Sequence, residues 1–302
     1  MTTTNFDPDA LAPLLASFPG TDVPAWLENA LVSGLGGVCL FGYNTPSAHE
    51  AQALVAKLRA ASPRDLVVTI DEEGGDVTRL YAARGGAFPA ARGFGDIDDA
   101  RLTHEYGEAI GRVLAAIGVN MNFAPVADVN TNPRNPVIGA RSFGTTPARV
   151  ARHASAVCEG LRHVGVLSCA KHFPGHGDTS VDSHVGLPTV ALTREEALSQ
   201  HVEAFRALGG DVDALRAALA PDASGATVAA VVLEAVPGTA GIFLPPPGYM
   251  AGVKELCREH GILLIIDEVM VGFGRVGEWF GHQLTGVTPD IVTFAKGVNS
   301  GY

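Results

Sequence analysis

Between Lys171 and His184 the chain places three histidines, one lysine and two aspartates in fourteen positions, punctuated by glycines. The stretch reads Lys171-His172-Phe173-Pro174-Gly175-His176-Gly177-Asp178-Thr179-Ser180-Val181-Asp182-Ser183-His184, and it follows the apolar run Gly165-Val166-Leu167-Ser168-Cys169-Ala170. Polar groups on a glycine-rich loop after a buried strand are the usual setting of a site. Within it, Asp182 stands two residues before His184. A carboxylate at that spacing can accept the imidazole N–H, fix the tautomer and keep a proton available near neutral pH, which is acid/base chemistry. On its own, Asp-x-His is common on solvated surfaces. A metal reading of His172, His176, Asp178 and His184 matches no zinc spacing. For His176, between two glycines, a loop-stabilising hydrogen bond competes with substrate contact.

The elements that position this loop repeat along the chain. Apolar residues at three- and four-residue steps (Leu11, Leu14, Leu15, Trp26, Leu27, Leu31, Leu35) predict a helix over 8–35. Val38-Cys39-Leu40-Phe41 follows as a strand buried on both faces, then a helix over 47–61. Leu66-Val67-Val68-Thr69-Ile70 is the next strand and delivers Asp71, with Arg79 close behind. A helix over 100–117 leads to a strand over 119–125, which delivers Asp128 and Asn130. Arg141 lies in the next loop, and a helix over 147–164 leads to the strand before Lys171. Strands alternating with helices, each strand ending in polar residues, predict a parallel α/β layout. A (β/α)8 barrel leads, because its active sites are built at those ends.

The 302 residues are 47% hydrophobic and 18% charged, which excludes a disordered chain. A formal charge of −11 without a basic cluster argues against a nucleic-acid surface. No apolar run approaches the roughly 20 residues that span a bilayer, and the first residues lack a basic and apolar leader, so no membrane partner is expected and the expected location is the cytoplasm. Cys39, Cys158, Cys169 and Cys257 are spaced as free thiols.

Three stretches carry a resemblance: Ile70-Asp71-Glu72-Glu73-Gly74-Gly75-Asp76-Val77-Thr78-Arg79-Leu80, Asn122-Phe123-Ala124-Pro125-Val126-Ala127-Asp128 and Gly139-Ala140-Arg141-Ser142-Phe143-Gly144. Together with the 171–188 loop they resemble family 3 glycoside hydrolases, most closely the bacterial β-N-acetylhexosaminidases, from about Leu11 to Arg206. From about Gly210 the chain is instead similar to class III, ω-type aminotransferases, through Asp267-Glu268-Val269-Met270, Pro289-Asp290-Ile291 and Ala295-Lys296-Gly297. The expected architecture is therefore a partial (β/α)8 barrel over 1–207, its first four βα units, followed over 208–302 by an α/β fragment of a pyridoxal-phosphate transferase large domain. In that fragment the expected elements are a helix over 211–220, a strand over 228–236, a helix over 250–260 and a strand over 262–266. The later strands are expected to abut the open barrel edge.

The resemblance implies a retaining hydrolase of terminal N-acetylglucosaminides. Asp182 and His184 would be its acid/base dyad, and Asp71, Arg79, Arg141, Lys171, His172 and His176 would bind the sugar. It implies no cofactor or metal for this half, and a small-molecule or cell-wall-derived amino-sugar glycoside as substrate. The family's Asp nucleophile setting does not follow Arg206, so activity is expected to be impaired. Ile266-Asp267-Glu268-Val269-Met270 imitates that setting superficially, but its flanks match the other family. In the aminotransferase half the resemblance gives Lys296 the Schiff-base role and Asp267 the pyridinium partner of pyridoxal phosphate. It also suggests oligomerisation, since those enzymes build their sites at dimer interfaces. The rival readings are a pyridoxal-phosphate aminotransferase fragment and a non-catalytic carbohydrate-binding remnant.

Overall fold

The computed structural model describes residues 11, 14–80, 82, 85–173, 175–182, 190, 192–206, 230–236, 245 and 248–294. Eight strands run in chain order as β1 (Leu14–Ala16), β2 (Gly37–Leu40), β3 (Val67–Ile70), β4 (Met121–Asn122), β5 (Leu167–Ser168), β6 (Ala230–Glu234), β7 (Leu263–Asp267) and β8 (Ile291–Thr293). They form one sheet in the order β5-β4-β3-β2-β1-β8-β7-β6, and every pairing is parallel. This is the cyclic order of a (β/α)8 barrel, with the seam between β5 and β6 unpaired among the described residues. Strands from both sequence parts thus share one sheet.

The two parts meet where β8 pairs with β1, Leu14 opposite Val292 and Leu15 opposite Thr293. Among the described residues β6 and β7 are hydrogen-bonded to the first half of the sheet through β8, while Ala230, Val232 and Ile265 also pack against Leu15, Met121 and Leu167 inside the barrel. The helix expected over 8–35 is corrected. Among the described residues Leu11 and Ala25–Val32 (α1) are helical, and Leu14–Ala16 between them is a strand held on both sides. Gly37 opposite Leu15 makes this fit, since a Cβ there would lie 2.2 Å from Leu15 Cδ2. Leucines three and four apart satisfy a helix locally, but this slot between two strands buries Leu15 inside the barrel.

Inside the barrel Leu15, Met121, Ile265 and Ile291 pack with Val67, Phe123, Leu167, Ala230 and Val232, so that seven of the eight strands contribute to one apolar plug. Outside it the helices bury their apolar stripes. In α2 (Ala48–Ala61) these are Ala51, Leu54, Val55 and Leu58, and the Ser47 hydroxyl caps the helix by accepting from Glu50 N at 3.2 Å. α3 is Ala91–Ile97, and α4 (Ala100–Ala116) starts on Asp99, whose carboxylate accepts from Arg101 N at 2.9 Å. α5 is Pro147–His163. Around β6 and β7, Leu233, Leu264 and Ile266 meet Met250, Val253 and Leu256 of α6 (Tyr249–His260), which ends at left-handed Gly261. α7 is Gly281–Thr285. The helix expected over 211–220 lies outside the described residues. The four cysteines are free, and no described helix is long and apolar enough to cross a membrane.

Candidate active site

The carboxyl ends of the strands enclose a cavity of about 280 Å³ lined by residues of all eight βα units, among them Leu15, Cys39, Asp71, Phe123, Lys171, His172, Glu234, Asp267 and Thr293. Asp71 follows β3 directly. Lys171 is fixed beyond β5 by its backbone, which donates to Pro125 O at 3.0 Å and accepts from Ala127 N at 2.6 Å. Its ammonium lies 2.5 Å from both Asp71 Oδ1 and Glu73 Oε1. Arg141 clamps Glu73 with two bonds of 2.8 Å from Nε and Nη2, and the same Nη2 lies 3.3 Å from His172 Nε2. Arg79 approaches Asp71 Oδ2 at 3.6 Å and stands 5.9 Å over the Phe41 ring.

Behind this row lies Asp128, fully buried. Its carboxylate takes His172 Nδ1 at 2.6 Å and the backbone N–H of His176 at 2.5 Å, which leaves His172 Nε2 turned toward Arg141. Glu72 ties the Arg79 loop down, accepting from Thr78 Oγ1 at 2.6 Å and from Arg79 N at 2.8 Å. From the sequence Asp128 is placed only at a strand end, without a role, and Glu73 is given none. The available signal was a second carboxylate at a strand end, and its meaning depends on cations delivered by other strands.

Electrostatics follow from this pairing. Burial alone would raise the Glu73 carboxyl, but Lys171 and Arg141 override it and bring it down to about 2. Burial opposes Asp71 and Asp128 in the same way, yet Lys171 holds the first below the ordinary carboxylate range and His172 the second. Burial would lower the Lys171 ammonium, and Asp71 and Glu73 raise it instead. For groups depressed in the fold, the stability they contribute is present above their unfolded value and lost as pH falls through the folded one. Acid titration followed by circular dichroism should therefore show stability falling from about pH 4.5 toward about 2, the interval set by Glu73.

Asp267 behaves differently. It ends β7, accepts from Val269 N at 2.8 Å and pairs with no cation among the described residues, so burial pushes its carboxyl up. The Cys39 and Cys169 thiols also line the cavity, but burial pushes both up to about 12, so neither is a ready thiolate.

The structure thus brings Asp71, Lys171, His172 and Asp267 to one cavity, with Arg79 and Arg141 bonded to its wall. His176 does not line it. It is 2% exposed, with Nδ1 bonded to Thr179 Oγ1 at 2.5 Å and its ring edge-on to His172. Its place is behind His172, where it shapes the loop. Asp182 is half-buried, while His184 and Lys296 lie outside the described residues. Paired cations and carboxylates at a strand-end cavity can read a polyhydroxylated ligand through charge-assisted hydrogen bonds.

Comparison with known proteins follows the same outline. The family model described as glycosyl hydrolase family 3 N terminal domain matches residues 19–226, and the model for aminotransferase class-III matches 160–302. The chain is 38% identical over 183 residues to beta-hexosaminidase A of Pseudoalteromonas piscicida, covering 57% of this chain and 30% of that protein. It is 40% identical over 165 residues to beta-hexosaminidase LpqI of Mycobacterium tuberculosis, covering 55% and 42%. The chain therefore spans less than half the length of these two relatives. Among solved structures, native NagZ from Neisseria gonorrhoeae superposes with a TM-score of 0.73 at 27% identity, covering 95% of this chain and 82% of that one. A family 3 beta-N-acetylglucosaminidase from Paenibacillus sp. gives a TM-score of 0.74 at 28% identity, covering 98% and 56%. At such coverage the structural likeness extends through the part of the chain that also matches the aminotransferase model.

Proposed function

The chain belongs to glycosyl hydrolase family 3, and on that premise we propose that it hydrolyses terminal N-acetyl-β-hexosaminides with retention, as the names of its relatives support. The observation that carries the reading is the cavity in which Asp71, Lys171 and His172 share a wall with Asp267. Asp71, Lys171 and His172 hold the sugar hydroxyls, with Arg79 and Arg141 fixing the carboxylates around them. His184, oriented by Asp182, gives its proton to the leaving oxygen.

Asp267, delivered by the segment similar to aminotransferases, supplies the second group that retention requires. Its carboxylate oxygen forms a bond to the anomeric carbon as the glycosidic C–O bond breaks, and water then releases the sugar with His184 acting as base. A carboxylate with no paired cation among the described residues, in a largely apolar cavity, gives strong stabilisation to positive charge developing at that carbon.

Release of the aryl group from an aryl N-acetyl-β-glucosaminide tests this. Wild type is expected to turn over and His184→Ala to lose activity by about 10²–10⁴-fold, the range of acid/base catalysis. No release above the His184→Ala background would refute hydrolysis. Sugar binding without turnover would then assign a carbohydrate-binding remnant.

The match over 160–302 favours a second reading, pyridoxal-phosphate chemistry at Asp267 and Lys296. Of that pair only Asp267 lies within the described residues. Among the described residues Lys171 and Arg141 are each already bound to Asp71 or Glu73, so neither is free for a phosphate dianion.

A further inference from the structure

On the outer face of the barrel α4 and α5 cross in backbone contact. A Cβ on Gly160 would stand 2.4 Å from His104 O and 2.7 Å from Glu108 N, and one on Gly107 would stand 2.8 Å from Val157 O. With no side chain between the backbones, His104 and Glu108, one turn apart on α4, are brought opposite the last turn of α5. His163 is the last residue of that helix. One ligand atom from each of His104, Glu108 and His163 lies within 4.8 Å of the other two. His163 Nδ1 is hydrogen-bonded to Glu108 Oε1, and the two imidazole rings are 6.1 Å apart. None of the three lines the cavity.

We propose that His104, Glu108 and His163 form a three-ligand site for a divalent cation of the zinc type, its remaining coordination positions filled by water. Two imidazoles and one carboxylate suit a borderline cation, whereas calcium and magnesium take oxygen ligands. Metal–ligand bonds of about 2.1 Å require the three atoms to draw closer. The adjustment falls to His163, whose side chain is 67% exposed, while Glu108 is held at 17%. Arg112 Nη2 donates to Glu108 Oε2 at 2.9 Å, which leaves Oε1 for the metal and makes Arg112 an outer partner that fixes the carboxylate. A chain charge of −11 favours a bound cation. The ion would clip together two helices that no disulfide joins.

The test is zinc titration of the full chain near neutral pH, by calorimetry and by competition with a chromophoric chelator. It compares wild type with His104→Ala, His163→Ala and a cavity variant, His172→Gln. Wild type and His172→Gln are expected to share one zinc equivalent, which His104→Ala and His163→Ala lose or bind at least about tenfold more weakly. Zinc should also raise the thermal midpoint of the first two and not of the others, a readout that does not depend on hydrolysis. Equal zinc binding by wild type and His163→Ala would overturn the proposal and leave a surface ion pair. Binding lost in His172→Gln and kept in both helix variants would overturn it too, by placing the ion in the cavity.

Discussion

Asp267→Asn is expected to reduce hydrolysis of an aryl N-acetyl-β-glucosaminide by about 10³-fold or more while leaving the chain folded. The amide is nearly isosteric and its oxygen still accepts from Val269 N–H, so the end of β7 is retained. It cannot form the bond to the anomeric carbon. Burial places the Asp267 carboxyl above its ordinary value, and only the ionised form attacks. In wild type the rate should therefore rise with pH through a midpoint above 3.8, the value of an unperturbed aspartate here. In Asp267→Gly, added azide should restore turnover by attacking from the vacated side, giving a glycosyl azide of inverted configuration. An Asp267→Asn variant as active as wild type would remove Asp267 from the reaction without touching the sugar-binding assignment.

Lys171→Met should have the largest effect on stability. Its ammonium lies between Asp71 and Glu73, and all three side chains are at most 21% exposed. Removing the cation leaves two largely buried carboxylates that Arg79, Arg141 and His172 balance less closely. Breaking a buried ion pair from one side costs about 3–5 kcal/mol. Chemical denaturation should show a loss of that size near neutral pH, shrinking in acid as the carboxylates protonate. A loss below about 1 kcal/mol would mean that solvent reaches the pair.

The longer elements were legible because their signals are local. The 48–61, 100–116, 147–163 and 249–260 helices carry apolar residues at helical spacing, with Ser47 and Asp99 as caps, and 66–70, broken only by Thr69, and 262–266 are apolar runs between polar ends. The 14–16 strand was not legible, since its leucines fit a helix and its partner β8 lies at the far end of the chain. Asp71, Lys171 and His172 could be picked out because each follows a strand. Glu73 and Asp128 take their meaning from Lys171, Arg141 and His172, which arrive from other strands. For Asp267 the neighbours in sequence pointed to a cofactor, whereas its neighbours in space are set by the β7 slot.

The pairing of β1 with β8 sets the timing of assembly. β1 leaves the ribosome with one edge filled by β2, but the partner for its other edge is synthesised only when residues 291–293 emerge. Until then that edge is an open template for intermolecular pairing, and closing it spans nearly the whole polypeptide, the kind of long-range step that slows folding. A chain interrupted before β8 keeps Asp71, Lys171 and His172 but leaves one edge of β1 open, so nascent-chain aggregation should be relieved only once Thr293 has cleared the exit tunnel.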